Sequence, residues 1–401
     1  PDKDSIAEAA DILRQAEKPL IVSGGGVFYS GAVSELTDFA EHHNIPIVET
    51  IAGRGMMLHD HPNNAGPLGV IGSSSANALA EEADVILAVG TRLQDFTTGS
   101  WSVFGNEKMR LISLNAARYD AHKHRALSVV GDALVGIEEL GKSLADWSGS
   151  ESWTSKAGTL YAEWNRTIEE HSGKTDTVPP SYAHVVGAVN RVCDDTDLAL
   201  TASGGFPGEL CKNWKTKTVG TFDCEFGFSC MGYEIAGGWG AKMADPSRDA
   251  IVFVGDGAYL MLNSDVYSSV LTGHKMIIIL CDNGGFGVIN RLQNFKGSAS
   301  FNNLLEDSKV EHLEYVDFVQ HAKSMGALGE QVESISELEA AFKRGKAAGR
   351  TYLISIKVQQ HQWTPGDAWW NVVVPEVSQR KEVRLAHADH SEGQKKQRIG
   401  V

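Results

Sequence analysis

The chain has 401 residues, of which 42% are hydrophobic and 22% charged, and this length predicts two or three domains, of which we expect two. No apolar stretch reaches the roughly 18 residues that a membrane span requires, and the formal net charge of -15 argues against nucleic-acid binding, which depends mainly on Lys and Arg. The five cysteines show no C-x-x-C spacing, which favours reduced thiols and a cytoplasmic location.

The first part of the chain alternates short apolar runs with helix-like stretches. Such alternation predicts a parallel sheet with helices on both faces. We place this domain at residues 1–147, followed by a polar linker at 148–180 that contains the turn-rich segment SGKTDTVPP. Strands are predicted at Pro19 to Ser23, Ile45 to Glu49, Asp84 to Val89 and Leu111 to Leu114.

A second alternating region predicts another α/β domain, at residues 181–378. Its strands are predicted at Leu198 to Thr201, Ala250 to Val254, Lys275 to Cys281 and Tyr352 to Val358. The remaining segment, 379–401, is mostly charged and lacks a core-facing period, so we expect a solvated helix or a mobile tail. The fold class is therefore α/β, with two doubly wound parallel-sheet domains.

Two apolar runs of the second region are each followed by an oxygen-bearing side chain. Asp256 lies in FVGDG and Asn283 in ILCDNGG, 27 positions later. A right-handed crossover brings the carboxyl ends of parallel strands to one edge of the sheet, so the two side chains meet if the strands are neighbours. One carboxylate, one amide oxygen and one carbonyl of the Gly284-Gly285 turn suit Mg²⁺, which completes its shell with phosphate and water. The alternative is a pair of ordinary strand-ending turns.

The residues after Asp256 favour a phosphate ligand. Gly257 and Ala258 open the next helix-like stretch, where backbone amides and the helix dipole attract negative charge. Together with the predicted metal site, this arrangement predicts the binding of a metal diphosphate.

A Gly-Asp-Gly turn followed at this distance by Asn resembles the thiamine-diphosphate-dependent enzymes. The resemblance implies that Asp256, Asn283 and the backbone oxygen of Gly285 bind Mg²⁺, and that Gly255 lies beside the cofactor. The family often has Asn-Asn where this chain has Asp282-Asn283. The metal ligand of the family corresponds to the second residue of that pair, so the implied ligand set is unchanged.

Segments upstream extend the resemblance. SCMGYEIAGGWGAKMADP (229–246) is similar to a family segment, which implies that Met231 is the wedge that bends the cofactor and that the carbonyl of Ser229 contacts its amino group. Ordinary core packing is the alternative for Met231. TASGGFPGEL falls where relatives have a diphosphate-binding loop, which makes the amides of Gly204 and Gly205 candidate ligands.

The first domain is similar to the central domain of the acetolactate-synthase-like branch of this family. The similar stretches are KPLIVSGGGVFYSGAVSELTDFAEHHNIPIVETIAGRG, HPNNAGPLG and EEADVILAVGTRLQDF. Some members of the branch bind FAD in this domain. The SGGG at positions 23–26 lacks the full G-x-G-x-x-G pattern, so we do not expect FAD here.

Three stretches resemble a hydrolytic member of the family: DNGGFGVINRLQ, PGDAWWNVVVPEVS and KKQR. The implied reaction is hydrolytic C–C cleavage of a cyclic polyol 1,2-dione to 5-deoxy-glucuronate in myo-inositol catabolism, by a homodimer or homotetramer. Trp363, Trp369 and Trp370 are equally consistent with packing of a C-terminal lid and with substrate contact. The alternatives for the whole chain are a carboligase or lyase, and a catalytically silent cofactor-binding module.

The resemblance assigns no catalytic residue within this sequence. In the family, the activating Glu comes from an N-terminal pyrimidine-binding domain of a neighbouring subunit, whereas this sequence starts at what resembles the central domain. We therefore expect the chain alone to be inactive. His184, His274 and His361 are candidates for proton transfer, although lone histidines are more often structural.

Overall fold

The computed structural model of the protein describes residues 1–398. It contains two parallel six-stranded sheets, one in each of two units. The first unit comprises residues 1–167, 365–373 and those from 390 onward, and the second comprises 168–364 and 374–389. The predicted α/β class with two parallel-sheet domains is confirmed.

The first unit alternates strands and helices from its amino end. Its strands are β1 (Pro19–Ser23), β2 (Ile47–Glu49), β3 (Asn64–Pro67), β4 (Val85–Val89), β5 (Arg110–Asn115) and β6 (Leu127–Val130). Its helices are α1 (Lys3–Arg14), α2 (Gly25–Tyr29), α3 (Val33–His42), α4 (Ser74–Glu82), α5 (Asp95–Thr98), α6 (Arg118–Ala121) and α7 (Ala133–Leu144), with a 3-10 turn at Ile51–Gly53. Helix α8 (Glu151–Ser172) starts in this unit, and its residues from 168 onward belong to the second unit.

The first sheet has the strand order β3-β2-β1-β4-β5-β6. Its central strand β1 is buried on both faces, because Ile21 packs into one hydrophobic cluster whereas Leu20 and Val22 pack into another. Burial on both faces explains why these strands appear in the sequence as continuous apolar runs.

The second unit repeats this organisation. Its strands are β7 (Leu198–Thr201), β8 (Phe222–Cys224), β9 (Ala250–Gly255), β10 (Met276–Asp282), β11 (Leu328–Val332) and β12 (Tyr352–Lys357). Its helices are α9 (Tyr182–Val192), α10 (Phe206–Asn213), α11 (Tyr233–Ala244), α12 (Asp256–Met261), α13 (Asp265–Thr272), α14 (Gly287–Phe295), α15 (Phe318–Ser324) and α16 (Ile335–Ala347), with a 3-10 turn at Leu305–Asp307. The strand order is β11-β12-β10-β9-β7-β8.

Helix α9 opens the second unit with a reciprocal cap. The Ser181 hydroxyl accepts from the amide of His184, and the ring of His184 accepts from the amide of Ser181. This capping box satisfies two amides that the first helical turn would otherwise leave unpaired. It fixes the start of α9 at Tyr182.

The segments outside the two sheets are largely helical. The expected linker at 148–180 contains the 22-residue helix α8, and the expected tail contains helix α17 (Lys381–Gln394), in which Val383 and His390 are buried. The last three residues of the expected tail, 399–401, lie outside the described residues. The boundaries at 147, 180 and 378 stay predictions.

The helices of the structure were compared with the length and hydropathy that a membrane span requires. Within residues 1–398, no helix combines the length and the apolar character that crossing a bilayer would need.

Candidate functional site

Strands β9 and β10 are adjacent and parallel, with Gly255 opposite Cys281. The residues that follow these strands therefore lie at the same edge of the sheet. Asp256 and Asn283 are both there, and they are only 5% and 6% exposed. The two side chains were predicted to meet if their strands were neighbours, and the strands are neighbours.

The carboxylate of Asp256 is half satisfied. Its Oδ2 accepts a hydrogen bond from the amide of Gly285 at 2.7 Å, whereas Oδ1 has no hydrogen-bond partner within residues 1–398. Burial, and then the negative charge of Asp282, raise the pKa of Asp256 to about 7. A buried carboxylate with a free oxygen is costly unless a positive charge compensates it.

The carboxamide of Asn283 is also half satisfied. Its Nδ2 donates to the hydroxyl of Tyr182 at 2.7 Å, and its Oδ1 has no partner in the described part of the chain. Buried polar atoms in folded proteins nearly always have partners. Two unpartnered oxygens, one on Asp256 and one on Asn283, are the donor set that a hard cation such as Mg²⁺ prefers. The residues present therefore fit a metal ion.

The turn after β10 requires glycine. Gly284 and Gly285 have φ angles of 74° and 144°, and a Cβ at Gly285 would lie 2.5 Å from the carbonyl oxygen of Asn303. The Asp282 side chain closes this turn by accepting from the amide of Gly284 at 3.0 Å. The residue that replaces the first Asn of the family pattern thus stabilises the turn.

The predicted diphosphate contacts lie in two short segments of the second unit. Gly257 and Ala258 are in the first turn of α12, which starts at Asp256. Gly204 and Gly205 lie between β7 and α10, and Gly205 is the N-cap of α10. Their contacts with a diphosphate stay predictions.

A buried acid that the sequence reasoning missed organises the neighbouring loops. The Glu234 side chain is fully buried and accepts from the amide and hydroxyl of Ser203 at 2.9 Å each, and from the amide of Gly232 at 2.8 Å. It therefore joins the loop of Gly204 to the turn before α11. A charged residue within the apolar stretch MGYEIAGG is the signal that could have revealed it.

Ser229 and Met231 lie in the segment before α11. Ser229 has a left-handed φ of 53°, and its hydroxyl donates to the carbonyl of Ala202 at 3.1 Å. Met231 is half-buried and packs against the core cluster that includes Ile235 and Val252. Their predicted contacts with the cofactor stay predictions, and packing of Met231 against the core is observed.

Aromatic side chains pack around Tyr182, the residue whose hydroxyl pairs with Asn283. The Tyr182 ring stacks on Trp363 with centroids 5.5 Å apart and an interplanar angle of 15°, and it meets Phe206 edge-on at 4.9 Å. The guanidinium of Arg291 lies 5.0 Å from the centroid of the Trp363 ring. Packing of Trp363 within the second unit is therefore observed, and its contact with substrate stays a prediction.

The other two tryptophans of the C-terminal segment belong to the first unit. The Trp370 indole donates to Asp95 at 2.6 Å, and its ring lies 4.6 Å from that of Phe96. Trp369 lies near the ring of His390, at 6.0 Å between centroids. These contacts agree with the packing alternative for the two residues.

The three histidines considered for proton transfer have different surroundings. His184 forms half of the cap of α9, and burial lowers its pKa. The His274 ring lies 2.9 Å from the Thr272 hydroxyl. His361 lines a cavity of about 640 Å³ beside Asn283.

The glycine-rich turn after β1 is occupied by backbone contacts. The amide of Gly24 donates to the carbonyl of Val89, and that of Gly26 donates to the carbonyl of Gly90, both at 2.9 Å. These amides are therefore not available to a pyrophosphate in this structure. The expected absence of FAD stays a prediction.

Both units match models of one enzyme family. Residues 6–140 match the thiamine pyrophosphate enzyme central domain, and residues 203–356 match the thiamine pyrophosphate enzyme C-terminal TPP binding domain. Thiamine diphosphate, another name for the same compound, is thus supported as the cofactor.

Individual relatives carry one name. The chain is 36% identical to the 3D-(3,5/4)-trihydroxycyclohexane-1,2-dione hydrolase of Geobacillus thermodenitrificans over 98% of its own length. It is 34% identical over 96% of its length to the proteins of that name in Bacillus thuringiensis and Clostridium tetani. It spans just under two thirds of these relatives, 66% of the first and 65% of the other two. The chain therefore belongs to the thiamine pyrophosphate enzymes, of which it carries the central domain and the C-terminal cofactor-binding domain.

Proposed function

We propose that this chain is the part of a hydrolase that binds thiamine diphosphate and Mg²⁺, and that the complete enzyme cleaves a C–C bond of 3D-(3,5/4)-trihydroxycyclohexane-1,2-dione. Water adds across the bond between the two carbonyl carbons, the ring opens, and the product is 5-deoxy-glucuronate. Similarity to hydrolases of this name over 96% to 98% of the chain supports the substrate. The pair of buried, unpartnered oxygens carries the cofactor-binding part of the proposal.

In this proposal, Oδ1 of Asp256, Oδ1 of Asn283 and the backbone oxygen of Gly285 hold Mg²⁺. The support is that both side-chain oxygens are buried at one edge of the sheet and that neither has a partner among residues 1–398. A cation there removes the cost of burying the Asp256 charge and bridges the protein to an anionic diphosphate.

Other residues of the chain orient the cofactor. When bound, thiamine diphosphate supplies a carbon nucleophile and an electron sink. We assign to Met231 the role of the wedge that bends the cofactor. The carbonyl of Ser229 accepts a hydrogen bond from the cofactor amino group in this proposal. Backbone amides near the diphosphate come from Gly204, Gly205, Gly257 and Ala258, with Gly255 beside them.

We assign no catalytic acid to this chain. The resemblance places the activating Glu in an N-terminal domain, and neither matching family model includes that domain. Assembly as a homo-oligomer, in which one subunit completes the site of another, and location in the cytoplasm belong to the same proposal.

Product analysis tests the proposed reaction. The chain is combined with the N-terminal domain of a relative, and the mixture is incubated with the cyclic dione or with pyruvate, each with Mg²⁺ and thiamine diphosphate. Formation of 5-deoxy-glucuronate supports the hydrolase. Acetolactate formation from pyruvate would instead support the carboligase, and cofactor binding without any turnover would support the silent module.

A further inference from the structure

The hydroxyl of Tyr182 is the one observed partner of the Asn283 carboxamide within residues 1–398. Tyr182 is 1% exposed and is the first residue of α9, and Asn283 follows β10, 101 positions away. Nδ2 of Asn283 donates to the phenolic oxygen at 2.7 Å. The contact joins the start of the second unit to the proposed metal site.

Packing leaves the Tyr182 ring little freedom. Trp363 stacks on the ring, and Phe206 meets it edge-on. A Cβ at Gly205 would lie 2.8 Å from the Trp363 ring, so the loop before α10 packs directly on this stack. The hydroxyl is therefore held at a fixed position beside Asn283.

The Tyr182 hydroxyl could accept from the NH₂ end of the Asn283 carboxamide or donate to its oxygen; in the structure it accepts from Nδ2, and Oδ1 has no partner within residues 1–398. Only the oxygen of Asn283 can bind a cation, because its NH₂ group is a donor. Rotation of the amide by half a turn would place that donor toward the cation. When Oδ1 faces a cation, the Tyr182 hydroxyl is the group that pairs the NH₂ end, so the observed contact supports the orientation that binds metal, as partners of metal ligands commonly do.

We propose that Tyr182 is a positioning residue for the metal site: it accepts from Nδ2 of Asn283 and so directs Oδ1 toward the cation. This inference rests on the proposed function, because it takes Asn283 as a metal ligand. It adds a role for a residue on a different helix, held by the aromatic stack of Trp363 and Phe206.

Metal binding by single variants tests the inference. Mn²⁺ is titrated into the 401-residue chain with thiamine diphosphate present, and free Mn²⁺ is measured by electron paramagnetic resonance. Tyr182→Phe keeps the ring and its stacking, and we expect it to weaken Mn²⁺ binding about tenfold. Tyr352→Phe is the control and should leave binding unchanged. Tyr352 begins β12 and pairs with Ile277, at the opposite end of β10 from Asn283, and its hydroxyl donates to Glu330 of β11.

The same Tyr182→Phe change made in an Asn283→Asp variant separates an effect on the orientation of the metal ligand from an effect on stability. In Asn283→Asp the two carboxylate oxygens are equivalent, so no orientation has to be selected. We expect Tyr182→Phe to change Mn²⁺ affinity by less than about twofold in that background, a loss of coupling that a double-mutant cycle measures. Thermal unfolding without metal should be similar for Tyr182→Phe and Tyr352→Phe.

The outcomes are distinguishable. If the parent chain binds no Mn²⁺, or binds it equally well after Asp256→Ala, the proposed metal site is wrong. If the parent binds and Asp256→Ala does not, but Tyr182→Phe matches the parent, the metal site stands and the positioning role is wrong. Equal losses from Tyr182→Phe in both backgrounds, or a Tyr182→Phe chain that does not fold, would assign Tyr182 a purely structural role.

Discussion

Glu234 accepts hydrogen bonds from both the backbone amide and the hydroxyl of Ser203, each at 2.9 Å. The same carboxylate accepts from the amide of Gly232 at 2.8 Å. Burial raises the pKa of Glu234, whereas these three donors favour its ionised form. The geometry of two loops at the proposed cofactor site thus depends on one buried side chain.

We expect Glu234→Gln to destabilise the chain by about 1–3 kcal/mol, because an NH₂ group would replace one acceptor and face backbone donors. Urea unfolding measures this free energy. Glu163→Gln is the control, since Glu163 is exposed and should change stability by less than about 0.5 kcal/mol. Similar values for the two variants would contradict the role of Glu234.

Asp256→Ala and Asn283→Ala should each abolish Mg²⁺-dependent binding of thiamine diphosphate and leave the fold intact. The diphosphate reaches the protein largely through the metal, so the loss of one ligand from a small set should reduce affinity by more than the roughly 10- to 100-fold that removing a residue behind a ligand costs. Calorimetric titration measures it, with the exposed Asp195→Ala as control. Unchanged affinity in either site variant would refute the metal assignment.

Met231→Ala should lower turnover of the assembled enzyme more than it lowers cofactor affinity. A wedge acts on the conformation of the cofactor, and misplacement of a reacting group costs on the order of 10 to 100-fold in rate. Steady-state kinetics and cofactor titration separate the two effects. Met243→Ala, on the exposed side of α11, is the matched control. Equal losses of rate and affinity would show that Met231 serves only as core packing.

The 401-residue chain alone should not exchange the C2 proton of thiamine diphosphate at an enzymatic rate. The family takes the activating acid from an N-terminal domain, and general acid–base groups contribute about 10² to 10⁴ in rate. Deuterium exchange followed by NMR measures this step without substrate.

Addition of an N-terminal domain from a relative is the matching experiment, and we expect it to restore exchange. Fast exchange on the isolated chain would mean that an acid within the 401 residues activates the cofactor. The proposed division of roles between domains would then be wrong.

The strands predicted from the sequence are those in the interior of the two sheets. Interior strands are covered on both faces, so they appear as continuous apolar runs such as MIIILC. The four strands that the sequence reasoning missed are the sheet edges, and they are short or partly exposed, or contain Gly and Pro: β3, β6, β8 and β11. Edge strands carry weaker patterns because one side has no partner.

The part of the candidate site that the sequence predicted consists of residues at the ends of strands. Asp256 and Asn283 follow apolar runs at a spacing that encodes adjacent strands, which the register of β9 and β10 confirms. Glu234 and Tyr182 were missed because their roles depend on contacts with Ser203 and Asn283, 31 and 101 positions away. No local pattern encodes such distant pairs.

The reciprocal cap of Ser181 and His184 has a practical consequence for anyone dividing this protein by limited proteolysis or recloning. Tyr182 follows Ser181 directly, so a cut between them would free the first turn of α9 and release the phenol that contacts Asn283. A fragment of the second unit that starts at 182 would retain every proposed metal ligand and Tyr182, but it would lose the Ser181 cap that holds the start of α9. Cleavage upstream of 181 would preserve both, so the shortest fragment that still binds metal fully should begin before Ser181.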